Sequence, residues 1–247
     1  MPVFQLNDDI LFPPVHYAEA DGLLAIGGDL RPERLLVAYA MGIFPWYNDD
    51  DPILWWSPDP RMVLYLDELH LSRSMHRTLK RGGFTVRFDT SFEAVVRGCA
   101  KPGPGREATW ISEDIVAAYC RLHDAGFAHS VECWRGDHLA GGLYGVSLGR
   151  CFFGESMFSR ESNASKTALA VLVAHLRRWE FDLIDCQIAN DHLARLGGRD
   201  IPRDVFVDYL EETLQHPTRR GAWTTAVTPA AAARDLKIGR PSKEGKG

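Results

Sequence analysis

The chain has 247 residues, 45% apolar and 25% charged, with 28 Lys and Arg against 33 Asp and Glu for a net charge of −5. These are ordinary globular values, and they exclude a disordered chain, a collagen-like repeat and a small disulfide-stapled scaffold. Taken whole, the mild acidity also speaks against a nucleic-acid partner.

The first 60 or so residues are dense in turn formers and aromatics: FPP, GGD, FPWYNDDDP and WWSPDPR. One helix is expected there, about Arg31–Met41, opened by Pro32 and closed by Gly42. Residues 1–60 therefore read as a small, loop-rich N-terminal domain whose Phe44, Trp46, Tyr47, Trp55 and Trp56 cover a larger neighbour. From residue 61 the pattern is regular. It predicts a strand (Met62–Leu66), a basic helix (about Ser72–Lys80), a strand (Phe84–Phe88) and a helix (Ser91–Cys99). The Gly/Pro-rich loop 101–107 ends at Thr109-Trp110-Ile111, and a long helix (Glu113–Ala125) stops at Gly126. Strands near His129–Trp134, Leu139–Ser147 and Cys151–Met157 have short connections, which predict an antiparallel meander. A helix (about Ala164–Trp179), a buried strand (Phe181–Cys186) and short helices over Asn190–Leu196 and Arg203–Leu214 complete a second domain, 61–227. Residues 228–247 are poor in core formers and are expected to be a flexible tail.

Five cysteines (Cys99, Cys120, Cys133, Cys151, Cys186) show no Cys-x-x-Cys pair and read as reduced thiols. MPVFQLNDDI has neither the basic start nor the apolar core of a signal peptide. The longest apolar stretch, Thr167–Leu176, falls short of a membrane span. A soluble, cytoplasmic protein is expected.

The charge is unevenly distributed. Residues 216–247 hold seven Lys/Arg and two Asp/Glu, which leaves the remaining body at −10. Within that acidic body, Arg73, Arg77, Lys80 and Arg81 fall on one stripe of the basic helix, opposite Leu71, Met75 and Leu79, and no acid lies between Glu68 and Asp89. Such a stripe is either a solvated face or a grip for a phosphate backbone, which gains from counterion release. In Leu183-Ile184-Asp185-Cys186-Gln187, strand alternation places Asp185 and Gln187 on one face, about 7 Å apart, and Ile184 and Cys186 on the other. A polar pair on an apolar strand is either a structural tie or a hydrogen-bonding pair facing a cleft. Glu155, in Phe152-Phe153-Gly154-Glu155-Ser156-Met157, is either a buried acid awaiting a cation or an edge residue. Nucleophile-elbow, HExxH and Walker patterns are absent. A Cys186–His192 dyad is disfavoured because Cys186 is expected to face away from Asp185 and Gln187.

The strings GLLAIGGDLRPERLLVAYAMGIFPWY, ILWWSPDPRMVL, ATWIS, FFGESMFSRESNASKTAL and LIDCQIANDHLARLGGRDIPR resemble the bacterial leucyl/phenylalanyl-tRNA–protein transferase family, over about residues 4–225. The resemblance implies an α+β fold, in which the small N-terminal domain precedes a GNAT-type acetyltransferase-like domain with a mixed, mostly antiparallel sheet flanked by helices. It implies transfer of Leu or Phe, with Met as a further candidate, from aminoacyl-tRNA to the α-amine of proteins beginning with Arg or Lys, marking them for N-degron degradation. The partners implied are the acceptor stem and 3′ end of Leu-tRNA and Phe-tRNA and those proteins, with no membrane; a monomer is expected. No cofactor or metal is implied, aminoacyl-tRNA being a co-substrate. Glu161-Ser162-Asn163-Ala164-Ser165-Lys166 stands where a GNAT enzyme needs glycines for coenzyme A. By resemblance Asp185 and Gln187 are catalytic, with Asp185 holding and polarising the Gln187 side chain, and Glu155 receives the acceptor's Arg or Lys. Leu143, Phe152, Met157, Leu172, Leu176 and Ile184 line the aminoacyl pocket, Trp46 and Trp110 flank the terminal adenosine, and Arg73, Arg77, Lys80 and Arg81 contact tRNA. Leu143, Leu172 and Leu176 stand where other members carry Met or Phe, so the order of preference among Leu, Phe and Met stays open. The competing readings are a coenzyme A-dependent N-acetyltransferase and a non-catalytic tRNA-binding module.

Overall fold

The computed structural model describes residues 3–101 and 109–236. Most of loop 101–107 and the end of the tail lie outside them. The N-terminal region holds more strand than its sequence announces. β1 (Phe4–Leu6), β2 (Leu23–Gly27), β3 (Phe44–Pro45) and β4 (Leu54–Trp56) form a sheet in the order β1-β2-β4-β3. Strands this short show too few alternations to register as a period, so only α1 (Pro32–Ala40) is legible in advance. Pro32 opens that helix, and Gly42, at φ 74, follows its last turn.

The rest of the chain gives β5 (Arg61–Tyr65), α2 (Arg73–Arg81), β6 (Thr85–Phe88), α3 (Phe92–Ala100), α4 (Glu113–Asp124), β7 (Ala128–Arg135), β8 (His138–Leu148) and β9 (Cys151–Ser159). There follow α5 (Ala164–Arg178), β10 (Leu183–Gln187), α6 (Asp191–Ala194), β11 (Arg199–Ile201), α7 (Arg203–Thr213) and α8 (Pro229–Asp235). Seven strands run in the order β11-β5-β10-β9-β8-β7-β6. Every neighbour is antiparallel except β9 and β10, whose parallel pairing requires the long crossover that α5 supplies. This is the expected mixed, mostly antiparallel sheet flanked by helices. α5 packs on β7, β8 and β9 and carries α8 beside it, in one core. α3 and α4 belong to a second core, shared with α1, that runs without interruption from Trp55 and Tyr39 to Val95, Tyr119 and Phe153.

The expected tail needs correction at its start. Residues 229–235 form α8, capped by the Thr228 hydroxyl, with Ala232 and Ala233 buried against α2 and α5. Small residues are poor core formers individually, but here they permit close helix approach. Just before α8, His175 of α5 accepts hydrogen bonds from the backbone N–H groups of Ala226 (2.9 Å) and Val227 (3.2 Å).

Two irregularities position the candidate site residues. In the β8–β9 ladder Tyr144 opposes Ser156 and Gly145 opposes Gly154, which leaves Glu155 as an extra, unpaired residue. In the β5–β10 ladder Val63 opposes Asp185 and Met62 opposes Gln187, which leaves Cys186 extra. The β9–β10 ladder ends at Phe153–Asp185. Two bulges therefore face each other where the parallel strands part, the kind of place where a sheet re-aims side chains.

Candidate active site

Asp185 is fully buried at the last ladder position before the bulge. Its Oδ1 accepts from Arg61 Nε (2.8 Å) and its Oδ2 from Arg61 Nη2 (2.7 Å), a two-pronged ion pair with neither side chain exposed. Arg61 also donates through Nη1 to the Gly42 carbonyl (3.0 Å) and lies over the rings of Phe44 and Phe206. The Asp185 Oδ1 accepts a further bond from the backbone N–H of Gln187 (2.9 Å).

That bond corrects the expected arrangement. Asp185 holds the Gln187 backbone and does not bond its side chain. Gln187 adopts φ 64, a left-handed conformation costly for a residue with a side chain, and the Asp185 acceptor and the bulge fix it there. The same turn breaks the alternation rule. Cys186 and Gln187 line the same cavity walls, whereas Asp185 lies on the Arg61 side. Cys186 therefore does not face away from Gln187, contrary to expectation. A thiol–imidazole dyad is nonetheless not formed, since Cys186 Sγ donates to the Ile184 carbonyl (3.8 Å) and burial pushes its thiol pKa up.

Glu155 supplies what Asp185 does not. Its Oε1 accepts from Gln187 Nε2 (2.7 Å) and its Oε2 from the Tyr119 hydroxyl (2.8 Å), and Tyr119 in turn meets the hydroxyl of Tyr39. Burial pushes the Glu155 pKa up to about 7 against the opposing pull of hydrogen bonds from Tyr119, Tyr39 and Gln187. With its N–H group bound to the carboxylate, the Gln187 amide has its carbonyl oxygen turned away. Nothing among the described residues donates to that oxygen. Sequence pattern does not single out Arg61, Tyr39 or Tyr119. The available signal is two tyrosines on the buried faces of predicted helices, whose hydroxyls must find partners.

Two cavities meet at this point. One, about 250 Å³, is lined by Leu143, Phe152, Met157, Leu172 and Ile184. Leu176, expected with them, is buried one turn further along α5 and does not line it. The other, about 280 Å³, is lined by Trp46 and Trp110 with Phe44 and Ile188. Glu155, Cys186, Gln187 and Asn190 belong to both walls. Among the described residues no group of three or more His, Cys, Asp or Glu is placed to hold a metal ion.

The basic stripe forms as its spacing implies. The Ser72 hydroxyl caps α2 by accepting from the Met75 N–H (3.1 Å). Leu71, Met75 and Leu79 are buried, Arg73, Arg77, Lys80 and Arg81 are exposed, and among the described residues no ion pair occupies those four.

Residues 63–211 match the family model described as leucyl/phenylalanyl-tRNA protein transferase, and residues 28–59 match that of its N-terminal domain. A protein named leucyl/phenylalanyl-tRNA–protein transferase from Syntrophus aciditrophicus is 57% identical over 226 residues, 91% of this chain and 95% of that one. A protein of the same name from Myxococcus xanthus is 53% identical over 227 residues, 91% and 97% of the two chains. Among solved structures, a GCN5-related N-acetyltransferase from Sphaerobacter thermophilus superposes at TM-score 0.33 with 14% identity, over 76% of this chain and 60% of that one.

Proposed function

Because the chain belongs to the leucyl/phenylalanyl-tRNA protein transferase family, and so passes Leu or Phe from aminoacyl-tRNA to protein N-termini, we propose that its acceptors begin with Arg or Lys and that Gln187 positions their α-amine. The observation that carries this reading is the Gln187 amide, held through its backbone by Asp185 and through its side chain by Glu155, at the junction of the two cavities.

The reaction is aminolysis of an ester. The α-amine nitrogen bonds to the ester carbonyl carbon, the bond to the ribose oxygen breaks, and the proton lost by the amine is balanced by the one gained at the ribose hydroxyl. An α-amine has a reference pKa near 7.7–8.0, so roughly a tenth or more is already free base at pH 7. A strong general base is unnecessary, and positioning becomes the main contribution. The Gln187 carbonyl, free of protein donors among the described residues, accepts from the amine N–H and directs its lone pair to the ester. Asp185 serves by fixing the backbone, and Arg61 serves by fixing Asp185.

The apolar cavity suits the Leu or Phe side chain, with Met a further candidate, and the Trp46–Trp110 cavity suits the terminal adenine, which stacks on aromatic faces. Glu155 borders both cavities and is the carboxylate within reach of an acceptor's cation. The free cations of α2 suit the acceptor stem. No helix among the described residues is long and apolar enough to cross a membrane. All five cysteines are free thiols, the state a reducing compartment maintains, which supports a place in the cytoplasm beside charged tRNA. The role in marking proteins for N-degron degradation rests on membership of the family.

The test is transfer of radiolabelled leucine from Leu-tRNA to an Arg-initiated peptide, beside an otherwise identical Ala-initiated control. Label on the Arg peptide alone is expected. Equal labelling of both, or none, overturns the reading.

A further inference from the structure

A third cavity, about 420 Å³, adjoins the aminoacyl cavity and is lined by His70, Ser72, Lys166, His192 and Arg195, with Met75 and Leu196 as its apolar floor. It forms where three elements meet: the lead into α2, the first turn of α5, and α6 with the residues after it. The His70 N–H donates to the Leu196 carbonyl (2.8 Å), which ties the first of these to the last. His192 belongs to both this wall and that of the aminoacyl cavity.

Among the described residues no acid lines it. Of the acids near these residues in sequence, Asp67 pairs with Arg177 (3.0 Å), Glu68 with Arg199 (3.3 Å) and Glu161 with Arg135, while Asp191, next to His192, is not among the lining residues and forms no ion pair with Lys166 or Arg195. Arg195 uses Nε on the Asp191 carbonyl (2.9 Å), and among the described residues its two terminal nitrogens and the Lys166 ammonium have no protein acceptor. The cations also sense one another. Burial first, then the charges of Lys166 and Arg195, hold His192 below the ordinary histidine pKa. In a body that carries −10 outside its C-terminal segment, like charges gathered around a cavity without a counter-acid are arranged to hold an anion.

We propose that this cavity holds a backbone phosphate of the single-stranded 3′ end of the aminoacyl-tRNA, between the α2 stripe that grips the stem and the cavity that takes the aminoacyl group. The proposal rests on the aminoacyl-tRNA reading above. Two placements favour a nucleic-acid phosphate over an acidic side chain of the acceptor protein. Ser72 on the cavity rim is followed directly by Arg73, the first cation of the stripe, so the two basic surfaces are continuous. The shared His192 puts the anion beside the aminoacyl group, which in aminoacyl-tRNA is attached to that same strand. An acceptor with a cationic first residue is repelled from the cluster. Lys166 and Arg195 thus become binding residues for the donor strand, each making one phosphate contact.

The test compares wild type with Lys166→Met, Arg195→Met and the double variant on two donors, Leu-tRNA and leucyl-adenosine, which has no phosphodiester. With Leu-tRNA each substitution should raise KM about 5–10-fold at unchanged kcat and peptide KM, and lower the slope of log affinity against log salt by about 0.7 per lost contact. With leucyl-adenosine the variants should match wild type, which also reports an intact fold. Equal losses on both donors, a raised peptide KM with unchanged tRNA KM, or no change at all would overturn the proposal. Wild type inactive with Leu-tRNA would instead overturn the transferase reading, and anisotropy of labelled tRNA would then still decide whether Lys166 and Arg195 bind phosphate.

Discussion

The buried Arg61–Asp185 pair offers a way to separate a positioning role from a chemical one. Arg61→Met removes two charge-assisted bonds, of 2.8 and 2.7 Å, and leaves the Asp185 carboxylate buried with, among the described residues, only the Gln187 N–H as donor. Removing one partner of such a pair costs about 3–5 kcal/mol, because the cost is that of an uncompensated buried charge. Asp185→Asn leaves the Arg61 cation stranded and should cost a similar amount. The double variant removes both charges of the pair, so its loss should fall below the sum of the singles by at least about 2 kcal/mol. The amide that Asp185→Asn introduces still presents an oxygen to the Gln187 N–H. Exchanging a charged for a neutral acceptor forfeits about 1 kcal/mol, or roughly fivefold in rate if all of it appears in the barrier. Urea unfolding measures the first quantity, and single-turnover transfer to an Arg-initiated peptide measures the second. Additive stabilities would refute the pairing of the two charges. A stable double variant slower by about a thousandfold would refute positioning and assign the Asp185 charge to the chemistry itself.

Other expectations follow from the same geometry. Gln187→Ala should reduce kcat by about a hundredfold while tRNA affinity stays within twofold, since misplacement of a reacting group has effects of that size; near-wild-type single-turnover rates would remove Gln187 from the site. Glu155 has its pKa raised to about 7, so the carboxylate that orients the amide is lost as pH falls through that value. Together with protonation of the α-amine near 8, log kcat/KM should fall with slope one between pH 8 and 7 and slope two below, and Glu155→Gln should keep slope one throughout. Leu172→Ala should enlarge the aminoacyl cavity, raise use of Phe-tRNA relative to Leu-tRNA, and cost about 2–5 kcal/mol in urea unfolding. Arg77→Gln and Lys80→Gln should each weaken tRNA binding and flatten its salt dependence, with peptide KM unchanged.

Much of this protein is legible from local pattern. The ends of helix α5 are readable to within a residue, because its apolar run is long and bounded by Lys166 and Arg177. The stripe on α2 follows from spacing alone. Two kinds of information are not local. Arg61 and Asp185 are 124 residues apart, and neither sequence neighbourhood reveals that its charge is matched. The orientation of Gln187 escapes the alternation rule because that rule presumes an unbroken ladder, and one extra residue at Cys186 reverses every inference past it. The short strands of the first sheet and the α8 helix are hidden for a third reason. Both are stabilised mainly by what they pack against, which propensity does not encode.

The Glu155 bulge has a consequence for how acceptors are told apart. Glu155 borders both cavities and holds the Gln187 amide; on the proposed reading this one carboxyl faces the acceptor's first side chain and aligns the amide that aims its amine. A cationic side chain arriving there stabilises the ionised carboxyl, and ionisation is the state that orients Gln187. Recognition is then converted into alignment, so a peptide with a neutral first residue loses turnover and not merely occupancy. Its disadvantage grows as the medium becomes more acidic, where the carboxyl without an acceptor is mostly protonated and only a correct acceptor carries the charge that restores it. On that reading acceptor choice is self-correcting: the right substrate completes the site that acts on it.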